Sequence, residues 1–185
     1  MALVGSNSFE MGQLAPGFEL YDTISGQTKS LNQLKGSQGT AIFFICNHCP
    51  YVIHVNHGLV QMANDYLPKG ISFIAISSND VKHYPQDGPE RMQQVAAQLQ
   101  YPFPYLYDET QEVAKAYNAS CTPDLYLFDA GLKAVYHGQL DDSRPRSGVP
   151  VTAKDFRRAI DYLLKAETNP YPQHPSVGCS IKWKR

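Results

Sequence analysis

A chain of 185 residues, 43% hydrophobic and 18% charged, has enough apolar surface for one well-buried core and is short for two. Its formal net charge of −1, with no basic block, argues against a partner that is nucleic acid or an anionic membrane. The longest apolar run, Ala41 to Cys46, is far too short to span a bilayer, and MALVGSNSFEMG lacks the basic and apolar regions of a secretory leader. A cytoplasmic location is therefore expected.

Residues 1–14 read as an irregular lead. Ala15-Pro16-Gly17-Phe18-Glu19-Leu20-Tyr21, Gly26 and the segment Lys29 to Gly36 predict a short hairpin closing on a helical turn. Thr40 to Cys46 is a continuous β-branched and aromatic run, the pattern of a strand buried on both faces. Beyond it, Cys49, Val52, Ile53, Asn56, Leu59, Val60, Ala63 and Leu67 recur at helical spacing, with Asn56 the one polar member and Lys69-Gly70 the stop. Pro50 falls in the first turn, where its missing N–H costs little.

Ile71 to Ser77 predicts a second buried strand, and Pro89 to Gln100 an amphipathic helix. Pro102-Phe103-Pro104-Tyr105 interrupts before a shorter helix over 109–117. Leu125 to Phe128 and Ala134 to Tyr136 flank the Asp129-Ala130-Gly131 turn as an antiparallel hairpin. A last helix is expected from Thr152, as N-cap, to Lys165. The order is βαβα, a short helix, then ββα, which places one α/β domain over 15–167. Pro170, Pro172 and Pro175 keep the tail, 168–185, from being regular helix. Ile181 and Trp183 give that tail apolar groups to bury, so it is expected to dock on the domain.

Of the four cysteines, Cys46 and Cys49 stand together while Cys121 and Cys179 stand alone. Four are too few to staple a domain that builds its own core, so the close pair points to redox or metal chemistry. A thiol at a strand-to-helix junction meets unpaired N–H groups and the positive end of the helix dipole, which favours its thiolate. That assigns the low pKa and the attack to Cys46, with Cys49 one turn on as the resolving thiol. Protonated His48 would stabilise the thiolate further and make the disulfide more oxidising. Structural zinc requires further ligands, and no second cysteine pair supplies them.

Ala15-Pro16-Gly17-Phe18-Glu19-Leu20, Cys46-Asn47-His48-Cys49-Pro50 and Thr122-Pro123 together resemble the thioredoxin superfamily, in its alkyl hydroperoxide reductase/thiol-specific antioxidant (AhpC/TSA) branch. Ser78-Asn79-Asp80, Asp141-Asp142-Ser143-Arg144-Pro145 and Gly178 to Lys184 resemble a little-characterised subgroup. The resemblance implies a three-layer α/β sandwich, with helices on both faces of a mixed sheet and an N-terminal hairpin extension. It also implies a cis-proline turn, Thr122-Pro123, opposite the cysteine pair, where Thr122 and Pro123 would hold a substrate chain as an added strand. The expected reaction is thiol–disulfide exchange on protein or small-molecule disulfides, with a cellular thiol reductant and no organic cofactor.

Two rivals remain at this level. A peroxidase signature, Pro-x-x-x-Thr/Ser-x-x-Cys, is absent: Gly39 and Phe43 precede Cys46 at those positions, and Ile42 and Cys46 precede Cys49. Copper-handling proteins of the same fold carry cysteine followed by proline, as in Cys49-Pro50, but their cysteines are spaced more widely. Elsewhere, His54 and His57 read as surface residues rather than ligands. Asp80 is either a tuner of the cysteines or a loop cap, and Arg144 is expected to pair with its neighbouring acids.

Overall fold

Strict alternation along one strand organises the molecule. In the computed structural model, which describes residues 3–185, this strand is Gly39–Phe44, and its side chains part to opposite faces of a central sheet. Ala41 and Phe43 enter one apolar cluster, and Ile42 and Phe44 enter the other. Both faces are dry, as the uninterrupted apolar run requires.

In chain order the elements are β1 (Leu3–Gly5), β2 (Glu19–Asp22), β3 (Gln27–Ser30), α1 (Leu31–Leu34), β4 (Gly39–Phe44), α2 (Pro50–Tyr66), β5 (Ile71–Ser77) and α3 (Pro89–Leu99). There follow β6 (Tyr105–Tyr107), α4 (Glu112–Ala116), β7 (Cys121–Thr122), β8 (Asp124–Asp129), β9 (Ala134–His137), α5 (Lys154–Leu164) and β10 (Val177–Ser180). The main sheet has the order β3-β2-β6-β5-β4-β8-β9. β4, β5 and β6 run parallel, while β2, β3, β8 and β9 pair antiparallel, so the sheet is mixed. Residues of α2, α3 and α5 fill one cluster, and those of α1 and α4 fill the other. This is a three-layer α/β sandwich.

Several local expectations are corrected. Tyr105, assigned to an interruption, opens β6, which pairs with both β2 and β5. The last helix begins at Lys154, with Ala153 rather than Thr152 as its N-cap residue. Its first N–H groups are served from a distance: Asp141 Oδ2 accepts from Thr152 and Ala153 at 2.7 Å each, and the Leu140 carbonyl accepts from Asp155 and Phe156.

The largest departure is at the termini. The tail contains a strand, β10, inserted between β1, from the segment read as an irregular lead, and β7. The Ile181 amide donates to the Ser120 carbonyl, and Ile181 is buried in the second cluster. The tail docks, and it does so by backbone pairing that no side-chain periodicity announces.

Candidate active site

The cysteine motif lies where β4 runs out. The Ile45 amide still bonds to the Ile76 carbonyl, and then Cys46 to Cys49 turn into α2. Pro50 opens the helix, so Cys49 is the N-cap residue and Cys46 lies three positions before it. Facing them is the Thr122-Pro123 peptide, which is cis. The Cys49 thiol donates to the Thr122 carbonyl at 3.1 Å, and Cys46 Sγ is 3.5 Å from Thr122 Oγ1. Both thiols are enclosed, with Cys46 2% exposed and Cys49 fully buried. Cys46, His48, Cys49, Thr122 and Pro123 thus meet in one place.

His48 is held by Asp87, a residue that no motif or periodicity singles out. Its Nδ1 is 2.6 Å from Asp87 Oδ2 and 4.0 Å from Cys46 Sγ, and its ring stacks on Tyr84. Asp87 is wholly buried. It accepts from the Asn47 amide at 2.9 Å and from Asn79 Nδ2 at 2.8 Å, so its carboxylate holds the motif loop as well as the imidazole. Tyr105 closes this network by donating to Asn47 Oδ1.

These contacts reverse the expected acidities. The Cys49 thiol is pulled down to about 4, chiefly by the Cys46 thiol, with Cys179, Thr122 and the Val52 N–H of the first helical turn adding to the effect against burial. The Thr122 carbonyl opposes this by favouring protonated Cys49, but one acceptor faces several donors. Cys46 is pushed well above the ordinary thiol range by Cys49, by burial and by the Asp87 carboxylate. A low pKa at Cys46 requires that residue to stand at the helix start, and the N-cap is Cys49, three residues later. Of the two sulfurs Cys49 is thus the readier to ionise, and while it keeps its proton the Thr122 carbonyl accepts it.

Ligand atoms of Cys46, His48 and Asp87 lie within 4.8 Å of one another, the one such group among the described residues that could hold a metal ion. Asp87 is already committed to three hydrogen-bonding partners there.

Other candidates settle into structural parts. Asp80 pairs with His83 and accepts from the Lys82 amide, so it caps its loop and does not contact the cysteines. The Arg144 guanidinium donates to the Asp141 and Ser143 carbonyls and to Gln139 Oε1, rather than to the neighbouring carboxylates. His57 is exposed, while His54 is half-buried in a small cavity beside Pro123. Cys121 is buried, its thiol donating to the Pro123 carbonyl at 3.6 Å.

The added-strand position meets a different outcome. The edge beside the cis-proline turn is taken by β10, with Cys179 opposite Thr122 and Ser180 opposite Cys121. Gly178 permits this closeness: a Cβ there would come 2.0 Å from the Thr122 carbonyl oxygen. Lys182 fastens the far side, its amide donating to Asn79 Oδ1 and its carbonyl accepting from the Asp80 amide.

Residues 11–137 match the family described as the AhpC/TSA family. No curated protein matches the chain. Among solved structures, an uncharacterized conserved protein from Geobacillus kaustophilus is 59% identical, with a TM-score of 0.98 over 100% of this chain and 97% of that one. A hypothetical protein from Sinorhizobium meliloti 1021 is 42% identical, with a TM-score of 0.94 over 97% and 98% of the two chains. The thioredoxin domain of a thiol-disulfide oxidoreductase from Bacteroides vulgatus is 18% identical, with a TM-score of 0.64 over 81% and 97%. That last likeness is one of fold: the sandwich is thioredoxin-like.

Proposed function

The chain belongs to the AhpC/TSA family of thioredoxin-like oxidoreductases, and from that premise we propose that it is a thiol–disulfide oxidoreductase using Cys46 and Cys49. The observation that carries this reading is the pair itself: two thiols at a strand-to-helix junction that both meet Thr122, Cys46 at its hydroxyl and Cys49 at its carbonyl. No helix among the described residues is long and apolar enough to cross a membrane.

Cys46 is the attacking sulfur and Cys49 the resolving one. Cys49 thiolate takes the Cys46 proton as Cys46 Sγ bonds to one sulfur of a substrate disulfide. The leaving thiolate collects that proton from Cys49, which is again ionised and attacks Cys46 Sγ. The Cys46–Cys49 disulfide forms, the second substrate sulfur leaves, and two electrons have passed from protein to substrate. A cellular thiol restores the dithiol. Thr122 Oγ1 orients Cys46, and the Thr122-Pro123 turn offers its backbone to the substrate once β10 yields that edge.

Peroxide reduction is the weaker reading, because the residues that precede Cys46 and would shape a peroxide pocket are Gly39 and Phe43 of a buried strand. Cysteine variants decide the matter. Cys49→Ser should accumulate mixed disulfides with substrates under non-reducing conditions, and Cys46→Ser should accumulate almost none. Equal trapping by the two would refute the assignment.

A further inference from the structure

Cys179 has no part in the exchange just described, yet it lies against it. Strand β10 sets Cys179 opposite Thr122, whose carbonyl bonds the Cys49 thiol. Strand β10 packs on α2, and Cys179 and Cys49 both belong to the apolar cluster that also contains Cys46. Cys49 is thus the common neighbour of two thiols, one in its own motif and one on the tail. Gly178, pressed on the Thr122 carbonyl, and Lys182, bonded on both sides to Asn79 and Asp80, fix the strand at this depth.

We propose that Cys179 is a third exchange cysteine, which takes over the disulfide from Cys46 by attacking Cys49. The inference rests on the reading that Cys46 and Cys49 form a redox disulfide. In that disulfide state Cys179 Sγ attacks Cys49 Sγ: the Cys49–Cys179 bond forms and the Cys46–Cys49 bond breaks. Cys46 leaves as a thiolate and takes up the proton that Cys179 gave up. No electrons enter or leave the protein; the disulfide has moved.

Oxidation of Cys49 removes one obstacle to the step. In the reduced protein burial and the Cys49 thiolate hold the Cys179 thiol up, at about 12. Once Cys49 is in a disulfide it carries no charge, and that part of the obstacle is gone. The result frees Cys46 for a second substrate and fastens β10 covalently to the N-cap of α2. The tail then becomes the place from which a reducing thiol must withdraw the disulfide.

Peptide mapping by mass spectrometry of the full chain, oxidised with glutathione disulfide, tests this. Cys46→Ser leaves Cys49 with Cys179 as its neighbour and should carry a Cys49–Cys179 bridge in more than half of the chains. Wild-type protein should yield both the Cys46–Cys49 and the Cys49–Cys179 bridges, and Cys179→Ser only the first. Cys46→Ser protein with Cys49 glutathionylated or bridged to Cys121, and Cys179 free, would overturn the relay. If that variant does not fold, wild-type protein decides: a Cys46–Cys49 bridge with Cys179 always free overturns it equally. Wild-type protein without a Cys46–Cys49 bridge would instead overturn the exchange reading on which the relay stands.

Discussion

Asp87 and Val52 act on the cysteine pair from opposite sides. The Val52 N–H stabilises charge on Cys49, whereas the Asp87 carboxylate destabilises it on Cys46. The first effect makes a prediction about titration. Ultraviolet thiolate absorbance of the reduced protein should persist as pH falls until about 4 and should vanish in Cys49→Ala. An ordinary transition near ~8.5 would contradict the account. The second effect predicts a shift in redox potential. Asp87→Asn removes a negative charge beside Cys46, so the reduced, ionisable form gains stability and the disulfide becomes more oxidising. The rise should be about 30 mV for each tenfold gain in thiol acidity. A glutathione titration reads it, and a lower potential would show that His48 and not Asp87 governs Cys46. The motif itself was legible in the sequence, because cysteine spacing and Pro50 mark a strand-to-helix turn without any tertiary knowledge. Asp87 was not, since it reaches His48 from a turn 39 positions away and has no periodic neighbours to point to it.

At the scale of elements, the start of α5 is stabilised from outside the helix. Asp141 accepts from the Ser143, Thr152 and Ala153 amides; burial opposes its charge, but these donors prevail and hold the carboxyl below its usual range. Asp141→Ala should therefore cost about 1–2 kcal/mol near neutral pH, the worth of a lost helix cap. Because the folded pKa is the lower one, that contribution is complete above the unfolded value near ~3.9. It fades as pH falls through the folded value. Denaturant melts of both proteins at neutral and acid pH check this, and an equal gap at both would refute it. Helix α5 itself was visible from its apolar spacing, but its cap was not: Thr152 has the right chemistry, while the acceptor used is eleven residues upstream. Strand β6 was hidden for a similar reason. The prolines before it, Pro102 and Pro104, read as a break, yet a three-residue strand held on both sides needs no pattern of its own.

Across the whole molecule, two demands meet at one edge. A thioredoxin-like site needs its cis-proline turn open, and here β10 pairs with that turn and encloses both thiols. The alternating βα order made the sandwich readable, since each buried strand declares itself by composition. The closure of the site was not readable, because β1 and β10 are joined through backbone groups and through Gly178, whose importance lies in the side chain it lacks. Substrate size thus depends on how far the tail yields. Whether the enclosed pair exchanges at all is best measured by titrating wild-type protein in glutathione redox buffers, with the disulfides mapped by mass at each point. A reversible two-electron transition is expected, in which the Cys46–Cys49 bridge forms and is reduced again. Protein that stays fully reduced throughout, or that oxidises only irreversibly at Cys46, would contradict it.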